Sequence, residues 1–328
     1  MQKKFVSIVI PTRNAAKTLH SCLESLQNLN YPKSELEIII TDGMSTDDTT
    51  KVATSYDVKV VTNKKISIAT GRNLGFAKAS GELIAFTDAD CIVDKNWISH
   101  SIKYFDDPLV AGVSGPIHTP LDQDYFGSSV AFLFSLSVYL AISTHHEKEK
   151  QAREVDDFPT CNAIYTADAL SKVMPLDENL FSGSDVELNY KLRQAGYKLL
   201  STPDIEVWHY KRSTPRSLFH QMKRYAIGRL QLGKKYTKLI KFVHIAVGLA
   251  IPALLFFLAS FFISRAFFGI MCALGFLSLF LICGVCLIKT RSIRITGWLP
   301  VAMAIMVIGW SCGFCRELIH PIRGPRAN

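Results

Sequence analysis

Short unbroken apolar runs alternate, through the first half of the chain, with segments whose apolar positions recur every three or four residues. "FVSIVIPTRN" (5–14) is such a run, halted by Pro11, and the segment after it places Leu19, Leu23 and Leu26 on one helical face. "LEIIITDG" (36–43) predicts a second strand and "TDDTTKVATSY" (46–56) a helix with Thr and Asp at its start. "VKVVTN" (58–63) predicts a third strand. "ATGRNLGFAKAS" (69–80) predicts a helix ended by Gly81, and "ELIAFTDAD" (82–90) a fourth strand. Strands that are apolar at both parities are buried on both faces. Alternating with helices, they imply an α/β fold with a mostly parallel sheet covered on both sides. In such sheets ligands bind beyond the carboxyl ends of the strands, where Asp42, Asp88 and Asp90 fall.

The pattern changes after residue 210. Residues 242–263, 266–288 and 295–315 carry no Asp, Glu, Lys or Arg, and each exceeds the ~20 residues that cross a bilayer. They predict three transmembrane helices, the first two forming a tight hairpin, with 316–328 as a tail. A fourth uncharged run, 126–143, would cut the first domain in two if it spanned. It is expected as a helix in the membrane interface beside a lipid-borne substrate, with a plain core helix as the alternative. The expected organisation is a globular domain over 1–210, basic amphipathic interface helices over 211–241, and then the spans.

Charge sharpens this division. Of 328 residues, 1–210 hold 20 Lys and Arg against 27 Asp and Glu, whereas 211–241 hold ten basic residues and no acidic one. A basic block abutting apolar segments suits an anionic membrane surface, where each Lys or Arg contributes roughly 1 kcal/mol. A nucleic-acid binder would carry its charge as a stripe on the folded domain, so no nucleic-acid partner is expected. Lys234, Lys235, Lys238 and Lys241 before the first span, with Lys289, Arg291 and Arg294 after the second, put the domain in the cytoplasm of a multi-pass membrane protein. The opening apolar run is too short for a signal peptide. Of eight cysteines, the two pairs spaced C-x-x-C lie inside apolar stretches and read as packing residues rather than zinc ligands.

Candidate chemistry centres on Asp88 and Asp90. Carboxylates two residues apart at a strand end can face one ligand, and a hard cation such as Mg2+ or Mn2+ is their natural partner. Asp185 falls in the first turn of a helix over "SDVELNYKLRQAG", where Ser184 and Glu187 have capping-box spacing and Gly196 is the stop. An acid there complements the helix dipole, and it is also placed to accept a proton.

Four stretches together resemble the family 2 glycosyltransferases of GT-A fold: "VIPTRN" (9–14), "IIITDGMSTDDT" (38–49), "GRNLGFAKASGELIAFTDADC" (71–91) and "SGSDVELNYKLRQAGYKL" (182–199). The resemblance covers roughly residues 5–210. It implies that Pro11, Thr12 and Asn14 border a nucleotide, that Asp42 binds its base, and that Arg72 and Asn73 face phosphates or ribose. By the same resemblance Asp88 and Asp90 hold ribose and a metal–diphosphate, and Asp185 deprotonates the acceptor hydroxyl. His209 would join the metal or diphosphate, with a buried structural role as the alternative. Many relatives have Glu-Asp where this chain has Ser184-Asp185. "FHQMKRYAIGR" (219–229) places Gln221, Arg224 and Tyr225 as in the Q-x-x-R-W motif of membrane-embedded polysaccharide synthases, Tyr replacing Trp. Those three residues are expected at the diphosphate and acceptor entrance.

The resulting expectation is a metal-dependent, inverting glycosyltransferase. It would move a sugar from a nucleotide diphosphate donor, uridine preferred and guanosine open, to a lipid-linked acceptor or growing glycan. A processive polysaccharide synthase is the second expectation, and a non-catalytic nucleotide-binding membrane scaffold the third.

Overall fold

A computed structural model describes residues 4–139 and 151–322. Along the chain come β1 (Val6–Thr12), α1 (Ala16–Gln27), β2 (Leu36–Asp42), α2 (Thr49–Thr54), β3 (Lys59–Thr62), α3 (Ile68–Lys78), β4 (Leu83–Thr87) and β5 (Cys91–Val93). After them are β6 (Val110–Ser114), β7 (Ile117–His118), α4 (Tyr125–Tyr139), β8 (Arg153–Glu154), β9 (Asn162–Thr166), α5 (Ala167–Val173), α6 (Ser184–Gln194), β10 (Lys198–Ser201) and β11 (Val207–His209). The helices α7 (Pro215–Lys235), α8 (Phe242–Gly248), α9 (Ala250–Ile263), α10 (Arg265–Thr290) and α11 (Ile293–Ile319) complete it.

These elements form two compact units, divided after Pro120 and after Tyr210. The first holds the sheets. Its main sheet has the order β3-β2-β1-β4-β9-β6-β10-β8. Both-parity apolarity explains its layers. Val6, Ile8, Ile10, Ile38 and Ile40 face one core with α1 residues Leu19, Leu23 and Leu26. Their neighbours Val9, Ile39, Ile84 and Phe86 face a second core with Ala69 of α3 and Leu188 and Leu192 of α6. Strands β1 to β4 are parallel, in line with the sequence pattern. The sheet as a whole is mixed, because β9 runs antiparallel to both β4 and β6. Nothing in "NAIYT" sets a direction, since either one buries the same side chains. Helix α3 ends at Ala79 rather than Gly81, and starts on Ser67, whose Oγ accepts from Thr70 N at 3.0 Å.

The chain runs from β1 outward to β2 and β3 and returns past β1 to β4, so the carboxyl ends of β1 and β4 border a switch point. There a second, three-stranded sheet of order β5-β11-β7 sets His209 opposite Cys91. Asn162 ties the two sheets together. It accepts the buried Trp97 indole N–H at 2.8 Å and donates to the carbonyls of Pro116 and Ile205, each at 3.1 Å.

Helical residues make up the second unit. Segment 121–139, which holds most of the 126–143 run expected in the membrane interface, belongs here: Phe126, Val130 and Leu133 pack with Leu218, Met222, Leu299 and Ala302. Residues 140–143 of the expected interfacial run lie outside the described residues. Within the 211–241 block, 215–235 form the long helix α7 and 237–239 a short 3-10 turn; α7 lies along α11 from Phe219 beside Gly309 to Lys234 beside Glu317. By length and composition, α10 and α11 are long and apolar enough to cross a membrane. The expected first span, 242–263, is instead two helices, α8 and α9, bent by 57° at Leu249, so three crossings are reached only if that pair counts as one.

Candidate active site

Strand β4 ends at Thr87, and the chain turns through Asp88, Ala89 and Asp90 into β5, with Cys91 N bonded to Asp88 O at 3.0 Å. This three-residue link brings both carboxylates to the same side. His209, brought alongside by the β5–β11 pairing, has Nε2 3.3 Å from Asp90 Oδ1. One ligand atom each from Asp88, Asp90 and His209 lie within 4.8 Å of one another. Two carboxylate oxygens and an imidazole suit Mg2+ or Mn2+, with the remaining positions left to water or phosphate oxygens.

The electrostatics fit such an ion. A third of the Asp88 side chain still reaches solvent, yet its pKa is pushed up to about 6. Burial is the main cause, joined by the charges of Cys161 and Asp90, while Arg72 and His209 act against the rise. A divalent ion would relieve this crowding of negative charge.

Arg72, buried on α3, answers from the other side. Its Nη2 lies 3.7 Å from Asp88 Oδ1, and its Nη1 donates to Ser184 Oγ at 2.7 Å. One guanidinium therefore joins the acidic turn to the residue just before Asp185. The capping box expected at this helix start does not form. Gly183, at φ +88°, holds the N-cap position without a side-chain cap, Ser184 turns to Arg72, and buried Glu187 accepts from Asp177 N at 3.0 Å. Asp185 itself is half-buried in the first turn of α6. One turn further along, Asn189 accepts from Tyr165 Oη at 2.7 Å and donates to Asp157 Oδ1 at 2.6 Å, which fixes the helix to β9.

At the ends of β1 and β2, Thr12 pairs with Asp42. Asp42 accepts from Ser45 N at 3.0 Å and from Ser45 Oγ at 2.5 Å. Asn14, at φ 49°, accepts from Thr46 N at 2.8 Å. Pro11 lies against α3, where a Cβ added at Gly71 would come within 3.2 Å of it. These residues shape a loop pair at the carboxyl edge. The Asn73 amide donates to Leu176 O and Glu178 Oε1 and accepts from Leu176 N, which ties α3 to the 176–178 segment.

Gln221, Arg224 and Tyr225 lie on α7 in the second unit. Gln221 Nε2 donates to Tyr225 Oη at 3.2 Å, and the Tyr225 ring is exposed. The tie between Ser184 and Arg72 was missed in the sequence, because a contact between residues 112 apart leaves no local signal. The same holds for the thiols of Cys91 and Cys161, which lie beside His209.

Layers, switch point and acidic turn define the class: a GT-A-like α/β fold. The sequence pattern of glycosyl transferase family 2 matches residues 7–174, more than half of the chain, and the chain belongs to that family. It is 26% identical over 234 residues to "Glycosyltransferase AglE" of Haloferax volcanii, covering 70% of this chain and 73% of that one. Over 276 residues it is also 26% identical to a Methanococcus voltae protein, covering 77% and 84% of the two chains. That relative is the dolichyl N-acetyl-α-D-glucosaminyl phosphate 3-β-D-2,3-diacetamido-2,3-dideoxy-β-D-glucuronosyltransferase. Among solved structures, the mannosyltransferase PcManGT of Pyrobaculum calidifontis, in complex with GDP-Man and Mn2+, aligns with a TM-score of 0.64 at 17% identity. The alignment covers 97% of this chain and 89% of that one.

Proposed function

We propose that this family 2 member transfers a sugar, with inversion, from a nucleoside diphosphate sugar to a lipid-linked saccharide at the cytoplasmic membrane face. The observation that carries this reading is the Arg72 guanidinium, which contacts Asp88 on one side and Ser184, beside Asp185, on the other. Asp185 takes the proton from the acceptor hydroxyl. The freed oxygen attacks the anomeric carbon from the side opposite the diphosphate, and the bond to the diphosphate oxygen breaks with its electron pair. One carboxylate base suffices for a single displacement, and positioned bases of this kind contribute about 10²–10⁴-fold. Asp88, Asp90 and His209 would hold a divalent ion, which supplies charge neutralisation to the departing diphosphate. Pro11, Thr12, Asn14 and Asp42 would border the nucleoside.

A lipid-linked acceptor is supported by the helical unit and by the Methanococcus voltae relative, whose name specifies a dolichyl phosphate sugar. Radiolabelled nucleotide sugars, Mn2+ or Mg2+ and polyprenyl-linked saccharides test the reading. Asp185→Asn is expected to lower kcat by about 10²–10⁴-fold while retaining donor binding. Undiminished turnover by that variant would remove Asp185 from its role.

A further inference from the structure

Beneath the acidic turn lies a second cluster of metal-ligating atoms. Cys91 Sγ, Cys161 Sγ and one ring nitrogen of His209 lie within 4.8 Å of one another, and both thiols are buried. We propose that these three side chains form a soft metal position for a thiophilic divalent ion such as Zn2+ or Cd2+, whose occupation competes with the Asp88–Asp90–His209 position.

Placement favours this reading. Cys91 opens β5 and His209 closes β11, and the two are directly paired across the small sheet. Cys161 is held just before β9 by its carbonyl, which accepts from Thr87 Oγ1 at 3.0 Å. All three ligands therefore sit on or beside strands, the kind of support that keeps a site rigid. Bond lengths of about 2.3 Å to sulfur and about 2.0 Å to nitrogen need ligand atoms some 3–4 Å apart, so small rotations close the set. Asp90 Oδ1, 3.3 Å from the imidazole, is close enough to be offered as a fourth ligand.

Charge balances as well. Binding releases two thiol protons to solvent, and two thiolates neutralise the divalent ion in a buried setting. Carboxylates select Mg2+ and Mn2+, whereas thiolates select softer ions, so each position prefers a different metal. They share His209, so filling the soft position withdraws a ligand from the hard one. Inhibition presupposes the transferase chemistry above; binding of the ion does not, and the two are read separately.

Co2+ titration of the full-length protein is expected to produce a near-ultraviolet thiolate-to-cobalt charge-transfer band that Cd2+ abolishes. Cys161→Ser and Cys91→Ser should lose the band, while Cys286→Ser, Cys315→Ser and Asp185→Asn keep it. In the Mn2+-supported reaction, Cd2+ should inhibit the wild type at concentrations at least tenfold below those needed for Cys161→Ser. A band that survives both thiol substitutions overturns the site, as does no band at all. If the thiol variants fail to fold, anomalous scattering from Cd2+ in wild-type crystals decides: density between the two sulfurs supports the site, and density only elsewhere ends it. Absent turnover with an intact band would discard the transferase reading and leave the metal position standing.

Discussion

Arg72 shows how one buried side chain can serve two parts of a site. A guanidinium offers donors in a fixed fork, and here two of its nitrogens reach different elements, Asp88 after β4 and Ser184 on α6. Lysine, a point charge, cannot span both. If Asp185 is the base proposed above, Arg72→Lys is expected to lower kcat by up to about 100-fold, with a smaller change in donor KM, because displacing that base misaligns the attack. Steady-state kinetics check this, and a raised KM with unchanged kcat would place Arg72 on the donor instead. Away from the site, Glu37 supports the edge between β1 and β2. Burial would raise its pKa, but Lys59, Ser7 and Ser80 more than offset this and hold it at about 2. A carboxylate with a depressed folded pKa stabilises above its unfolded value and loses that contribution as pH falls toward the folded one. Between pH 4.5 and about 2, the first unit should lose on the order of 3 kcal/mol, and Glu37→Gln should flatten that slope in acid titrations followed by tryptophan fluorescence.

Among the elements, the contact between α7 and α11 depends on glycine. A Cβ at Gly313 would stand 2.3 Å from the Lys223 carbonyl oxygen, and one at Gly309 would stand 2.9 Å from that of Phe219. Two glycines four residues apart let helix backbones touch, as in small-x-x-x-small packing. Backbone cannot yield as a side-chain tip does, so Gly313→Val should separate the helices. A disulfide engineered across the pair would then form poorly. Gly269 on α10 has nothing within 4 Å of an added Cβ, so Gly269→Ala should leave the same cross-link unchanged. The element scale also shows where the sequence was legible. Four parallel strands and the face of α1 followed from periodicity alone, since burial on two sides or one writes itself into residue order. The capping box at Ser184 did not form, because Gly183 holds the N-cap and Ser184, already in the first turn, accepts from Arg72. The hydrogen bonds of Asn73 to Leu176 and Glu178, about a hundred residues away, left no local signal either.

For the whole molecule, charge constrains how α11 meets a membrane. Helix α7 lies beside it from Gly309 to Glu317 and carries Arg216, Lys223, Arg224, Arg229, Lys234 and Lys235. If α11 crossed the bilayer there, α7 would be drawn in with it, at about 2.5–3.5 kcal/mol for each charge near the centre. Buried Glu317, paired at 2.8 Å with the exposed Lys234, points the same way. If α7 lies on the cytoplasmic face, as proposed above, α11 is expected to stay with it rather than cross. A cysteine at residue 320 should then react with impermeant maleimide only from the cytoplasmic side, together with one at residue 292. Three full crossings would put residue 320 outside.

Residue order alone carried the layered α/β half, the carboxyl-edge crevice with its acidic turn, and the division between an acidic domain and a basic, apolar remainder. Each of these is a local property, readable from spacing, strand ends or charge counts. Folding decided the rest: the reversed direction of β9, the union of 121–139 with the C-terminal helices, the meeting of Arg72 with Ser184, and the gathering of Cys91 and Cys161 around His209. Those depend on which distant segments share a neighbour, and such contacts are selected by packing the whole core rather than by any pattern along the chain.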